Sequence, residues 1–141
     1  MIVAGHDYAV RSLTLTAQFS LAAKLAPIVA IMSLQDDRAI LKKNFPRSFA
    51  ALCQTMPVDE QEWVLNTCLG AVSRCDAGVP PAPVWVGGMP AFQDIDMRVM
   101  LELVWEVIEA HKLVDFFSAD PSGSSEGQAS QSSGSASRTT G

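Results

Sequence analysis

The feature that most limits how this chain can fold is the break at Phe117. From Asp94 the sequence DIDMRVMLELVWEVIEAHKLVDFF is a long apolar helix pattern that closes on Asp115-Phe116-Phe117, and from Ser118 to Gly141 the chain is mostly Ser, Gly, Thr, Gln and Ala. That tail has nine Ser and four Gly, and Ala119, Ala129 and Ala136 are its only residues of the hydrophobic class. Such a segment buries too little apolar surface to offset the entropy of ordering itself. The expectation is therefore one folded domain over residues 1–117 and a disordered Ser/Gly-rich tail over 118–141. Two aromatics at the end of the ordered part leave two alternatives open: that end packs down on the domain, or it is presented to a partner.

Because the tail is polar, the 48% hydrophobic content of the 141-residue chain is concentrated in residues 1–117. The excess fits either a well-filled core of Ala-rich helices or an apolar face used for binding or self-association. A net charge of −5, a pI near 4.8 and basic residues that are scattered, with Lys42-Lys43 the only adjacent pair, argue against nucleic-acid binding. The apolar run from Leu21 to Leu34 contains Lys24 and Pro27 and is too short for a membrane span. No basic segment precedes it as in a signal peptide.

Along the chain, Ile2-Val3-Ala4, Gly5-His6-Asp7 and Tyr8 to Leu13 read as two extended runs around a turn, a short N-terminal β-hairpin with His6 in the turn. Thr14 or Thr16 caps a helix through Phe19, Ala22, Ala23, Leu25, Ala26, Val29 and Met32 that should kink or restart at Pro27. Ser33, Asp36 and Asp37 supply a second helix start, and Phe45-Pro46 should interrupt that helix before Phe49, Leu52, Cys53 and Met56. Asp59-x-x-Glu62 matches a capping box, with Val58 and Trp63 as its hydrophobic staple, opening a helix through Val64, Cys68, Ala71, Val72 and Cys75 to Gly78. Val79 to Pro90, with four prolines and two glycines, is a loop in which Val84-Trp85-Val86 adds at most an edge strand. Asp94 or Asp96 opens the last helix, with Met97, Leu101, Val104, Trp105 and Ile108 on its apolar face and Glu102, Glu106 and Glu109 on a solvated one. The fold class is mainly α: about four to five helices, the hairpin and the tail. Trp63, Trp105, Phe49 and Leu101 should share one core.

Little points to catalysis. Gly123-Ser124-Ser125-Glu126-Gly127 matches G-x-S-x-G, but it lies in the polar tail without the strand and helix that strain such a serine. His111 is best explained as a helix-end residue, and the three glutamates as a surface. Cys53, Cys68 and Cys75 form no C-x-x-C pair, and Cys68 and Cys75, seven apart on an expected helix, are too distant for one zinc ion or a disulfide. No enzyme, cofactor or metal site is expected. The candidate partner-binding residues are Trp105, with the adaptable Met97 and Met100, and the closing Phe116 and Phe117.

The order of three features carries a family resemblance: Ile2-Val3-Ala4-Gly5-His6-Asp7-Tyr8-Ala9-Val10 as an opening hairpin, Thr55-Met56-Pro57-Val58-Asp59-Glu60 before a Trp-bearing helix, and Leu103-Val104-Trp105-Glu106-Val107-Ile108 running to Asp115-Phe116-Phe117. Together they resemble the tail assembly chaperones of long-tailed bacteriophages and prophages, over Met1 to Phe117. The resemblance implies a non-enzymatic, mostly helical protein in the cytoplasm of the bacterial host. It would bind the tape measure protein, keep it soluble until the tube assembles, and have the tail tube protein as a second partner. A small helical adaptor unrelated to phage tails is the alternative on the residues alone.

Overall fold

The computed structural model describes residues 1–32, with side chains through Ile28, and residues 37–114. The chain opens with the expected hairpin, β1 (Ile2–Val3) and β2 (His6–Val10), paired antiparallel with Val3 opposite His6. The turn is Ala4-Gly5, both at positive φ, so His6 lies on the strand and not in the turn. Positive φ at both central positions gives the local twist that matches paired strands.

Helix α1 (Leu15–Met32) runs unbroken through Pro27, and α2 (Arg38–Cys53) runs unbroken through Pro46, where interruptions were expected. Proline removes one hydrogen bond from a helix, but the buried stripes continue across both sites: Leu21, Leu25 and Ile28 on α1, and Leu41, Phe45, Phe49 and Leu52 on α2. Pro27 is exposed and Pro46 half-buried, so both lie off the fully buried stripes. Packing of the apolar stripe outweighs the local penalty. Asp37 caps α2 as expected, its side chain accepting from the Ala39 N–H at 2.9 Å; Ser33 and Asp36 lie outside the described residues.

Helix α3 (Val58–Leu69) starts without the expected capping box. Pro57 is its N-cap, no side chain caps it, and Val58 is exposed, so no staple forms. Asp59 and Glu60 still sit in the first turn, where carboxylates favour the positive helix end. Gln61 Nε2 donates to the carbonyls of Cys53 at 2.6 Å and Met56 at 3.1 Å, tying the end of α2 to the start of α3.

The largest departure follows Leu69. The helix expected to reach Gly78 stops at Gly70, and Val72–Arg74 forms strand β3 beside β2, with Val10 opposite Val72 and Tyr8 opposite Arg74. Cys68 and Cys75 therefore do not share a helix. β4 (Ala82–Pro83) forms the edge of this sheet, whose order is β1-β2-β3-β4, while Val84-Trp85-Val86, the expected edge strand, does not join it. β5 (Trp85–Val86) and β6 (Met89–Pro90) form a second small hairpin whose Gly87-Gly88 turn has φ of 63° and 79°. Trp85 donates its indole N–H to Asn66 on α3 at 2.7 Å, while Val84 is the buried anchor of this loop. Among the described residues the fold is mainly α, 55% helical, yet its 15% strand exceeds the expected hairpin and single edge strand.

Helix α4 (Met97–Ala110) follows, capped by Asp96, whose side chain accepts from the Val99 N–H at 2.9 Å. It is the hub, packing on α2 and α3 and on β1 and β2. That position explains its wide apolar face of Val99, Leu103, Val104, Trp105, Val107 and Ile108, all buried. Phe45 lies 5.3 Å from both Phe49 and Trp105, and Trp63 and Leu101 pack at the margin of the same core, as the sequence pattern implied. Glu109 meets Arg38 at 3.2 Å and Glu106 meets Lys42 at 3.3 Å, so the acidic face of α4 bridges to α2 where a solvated face was expected.

Candidate protein-interaction surface

Helix α1 is apolar nearly all round, and the fold covers only part of it. Leu21, Ala22, Leu25 and Ile28 are buried, whereas Leu15, Phe19, Ala23 and Pro27, spaced four apart, face outward. Leu15 is 81% exposed and Phe19 71%. At 1.5 Å per residue this stripe extends about 18 Å. Single exposed apolar residues are ordinary, but a continuous row with adjoining hollows is the kind of surface that makes a candidate for binding.

The hollows lie on either side of Phe19. One, about 300 Å³, is lined by Leu15, Gln18, Phe19, Ala22, His111 and Leu113, between the start of α1 and the end of α4. The other, about 430 Å³ and more open, lies among Phe19, Ala23, Pro27, Leu52 and Met56, with Lys24 and Glu60 at its rim. Lys24 stands 4.0 Å from Glu60, and its ammonium lies 5.3 Å from the centre of the Trp63 ring.

Among the polar atoms in the wall of the first hollow, both His111 ring nitrogens and Gln18 Nε2 are already engaged. His111 Nε2 accepts from the Leu13 N–H at 2.9 Å, and Nδ1 lies 2.8 Å from the Val107 carbonyl, which fixes the tautomer with the proton on Nδ1. Gln18 Nε2 donates to the Leu13 carbonyl at 2.9 Å. What the hollow offers a ligand is apolar contact.

Of the candidate residues from the sequence, the structure describes Trp105, Met97 and Met100, all on α4. Trp105 is 3% exposed and packed at a tilt against Phe45, so it supports the core from within. Met97 is exposed on the first turn of α4 and Met100 is half-buried at the core margin; neither lines a hollow beside Phe19. Phe116, Phe117 and the Ser/Gly-rich tail lie outside the described residues. Leu15 and Phe19 were missed as surface residues, although the i, i+4 spacing was present, because a helix without a polar face does not reveal which side is covered.

A polar cluster occupies the opposite end of β2. His6 places Nδ1 2.7 Å from Asp76 and Nε2 3.0 Å from Asp94, and Arg74 donates to Asp94 at 2.8 Å and to the Tyr8 hydroxyl at 2.9 Å. The Asp7 N–H and then His6 hold the Asp76 carboxyl below its ordinary range, and Arg74 does the same for Asp94. Arg74 also lies 4.0 Å over the Phe92 ring. These groups pair with one another and tie β2, β3 and the segment before α4 together, while the buried Arg74 Nε is left without a hydrogen-bond partner. Burial raises the Cys53 thiol and pushes Cys68 up to about 12, the reverse of what a reactive thiolate needs.

Among the described residues no group of His, Cys, Asp and Glu is arranged to hold a metal ion, and no helix is long and apolar enough to cross a membrane. No curated protein and no solved structure matches the chain. A family model described as phage tail assembly chaperone protein, TAC, matches residues 4–125, from the turn of the first hairpin through β2 and every later described element and beyond Phe117. The chain belongs to the phage tail assembly chaperone family.

Proposed function

We propose that this protein is a non-enzymatic chaperone that binds the tape measure protein and keeps it soluble while the tail assembles, and that α1 presents the contact face. The observation carrying this reading is the exposed row Leu15, Phe19, Ala23 and Pro27 with a hollow on each side of Phe19. A long helical client with apolar stripes needs apolar grooves of helical length, and a row of about 18 Å accommodates roughly three turns of such a helix. Binding of the tail tube protein rests on family membership alone and forms a second arm of the same experiment.

Co-expression tests it. The wild type should bring the tape measure protein into the soluble fraction and co-purify with it, and Phe19→Asp, at an exposed position, should fold normally and lose the complex. Normal complex formation by Phe19→Asp removes α1 as the contact face. An insoluble client with the wild type removes the tape measure reading itself. If the tail tube protein alone co-purifies, the partner assignment moves to it, and self-association would show as a dimer that Phe19→Asp dissolves.

A further inference from the structure

The exposed face of α1 holds, within one patch, the parts of a contact with its own copy. Phe19 stands out from the surface, and one turn further along the row the surface falls into the 430 Å³ hollow walled by Ala23, Pro27, Leu52 and Met56. A two-fold contact uses the same patch on both subunits, so that patch must hold the protrusion together with the recess that receives it, and both signs of charge where charges meet. The recess is large enough for a phenyl ring, since an apolar cavity of about 150 Å³ already takes up benzene. Ala23, the smallest residue of the row, lies midway between Phe19 and Pro27 and leaves room for a second helix to cross. Lys24 and Glu60 supply one charge of each sign at the rim, both partly exposed and 4.0 Å apart, the outer limit of an ion pair.

We infer that α1 pairs antiparallel with α1 of a second copy, crossing at Ala23, so that Phe19 of each copy enters the hollow of the other. Counting outward from Ala23 in opposite directions sets Phe19 of one copy against Pro27 of the other, at the mouth of that hollow. A two-fold axis across the antiparallel pair keeps the same flank of each copy on the same side. Lys24 and Glu60 of both copies therefore gather in one cluster of two positive and two negative groups. A net charge of −5 opposes self-association in general, but α1 carries one charged residue, Lys24, in its 18 positions, so the copies meet where that repulsion is least. A row about 18 Å long on a helix about 10 Å across covers far less than the roughly 800 Å² per partner of a standard interface. The dimer is accordingly weak and reversible. Where α1 also binds the client, a point that rests on the function proposed above, self-pairing keeps the apolar row covered until the client takes it.

Sedimentation equilibrium of the full chain tests the pairing without any client. The wild type should pass from monomer to dimer between micromolar and millimolar concentration, and Phe19→Ala should weaken the dimer about tenfold or more, as loss of a central aromatic does. Lys24→Glu and Glu60→Lys each place four like charges at the crossing, and each variant alone should stay monomeric. An equimolar mixture of the two restores two charges of each sign and should dimerise at least as tightly as the wild type, and adding Phe19→Ala to both variants should abolish that dimer. An ion pair within one copy cannot produce this result, since neither variant retains one. A wild type that is monomeric at about 1 mM, a dimer indifferent to Phe19→Ala, or a mixture that does not pair overturns the proposal. The tape measure reading fails on a different result, an insoluble client beside the wild type, so the two fail separately.

Discussion

His111 and Leu13 are joined across 98 positions of sequence by a 2.9 Å hydrogen bond from the Leu13 backbone N–H to the imidazole Nε2. The contact closes the end of α4 onto the residue that leads into α1, and it forms one wall of the hollow beside Phe19. The second ring nitrogen bonds to the Val107 carbonyl, so the ring is oriented from both sides.

Replacing His111 by Phe keeps a ring of similar shape and removes the acceptor. The Leu13 N–H, on a residue only 8% exposed, would lose its partner, and an unmade bond at such a site costs about 1–3 kcal/mol. Urea unfolding followed by circular dichroism should show that loss, and His111→Gln, which retains a carbonyl acceptor, should recover part of it.

Lys112 is a non-glycine residue held at φ of 53°. A side chain there costs about 1–2 kcal/mol that glycine does not incur, offset by about 0.5–1 kcal/mol for glycine's greater freedom when unfolded. Lys112→Gly should therefore stabilise the protein by about 0.5–1 kcal/mol. A lower midpoint in the same unfolding assay would show that the Lys112 side chain contributes contacts that outweigh its backbone cost.

Trp105 and Met97 came from the same apolar helix pattern but occupy opposite environments. Trp105→Ala should cost about 3–5 kcal/mol, because it opens a cavity beside Phe45. Met97→Ala, at a position 71% exposed, should stay within about 0.5 kcal/mol. Equal effects from the two would mean that α4 is rotated from the orientation described.

How far each element was legible follows from where its determinants lie. Helix α4 could be read directly, because the Asp96 cap and the spacing through Ile108 are local. Continuity through Pro27 and Pro46 could not, since it depends on partners from other elements that bury Leu25, Ile28, Phe45 and Phe49. Strand β3 was hidden because Val72-Ser73-Arg74 is too short for alternation to show, and its extended form comes from pairing with Val10, Ala9 and Tyr8 far away in sequence. The capping box at Asp59 and Glu62 matched a pattern, but Pro57 set the helix start two residues earlier than the match required. As for the surface, the sequence pointed to Trp105, which lies inside, because aromatic content alone does not separate a core anchor from a binding residue.

The His6 cluster gives a pH dependence with a defined sign. Asp76 and Asp94 are both held below the ordinary value of 3.8, Asp76 first by the Asp7 N–H and then by His6, Asp94 first by Arg74. A carboxyl whose folded value is depressed contributes stability that is fully present above the unfolded value and is lost as pH falls through the folded one. Thermal unfolding from pH 7 to pH 2 should therefore show a roughly constant gap between the wild type and Asp94→Asn down to about pH 4, and a closing gap below it. Because these side chains are solvent-accessible, the gap should be small and should narrow in high salt. A gap that persists unchanged at pH 2 would mean that Asp94 acts through packing or neutral hydrogen bonds and not through its charge beside Arg74 and His6.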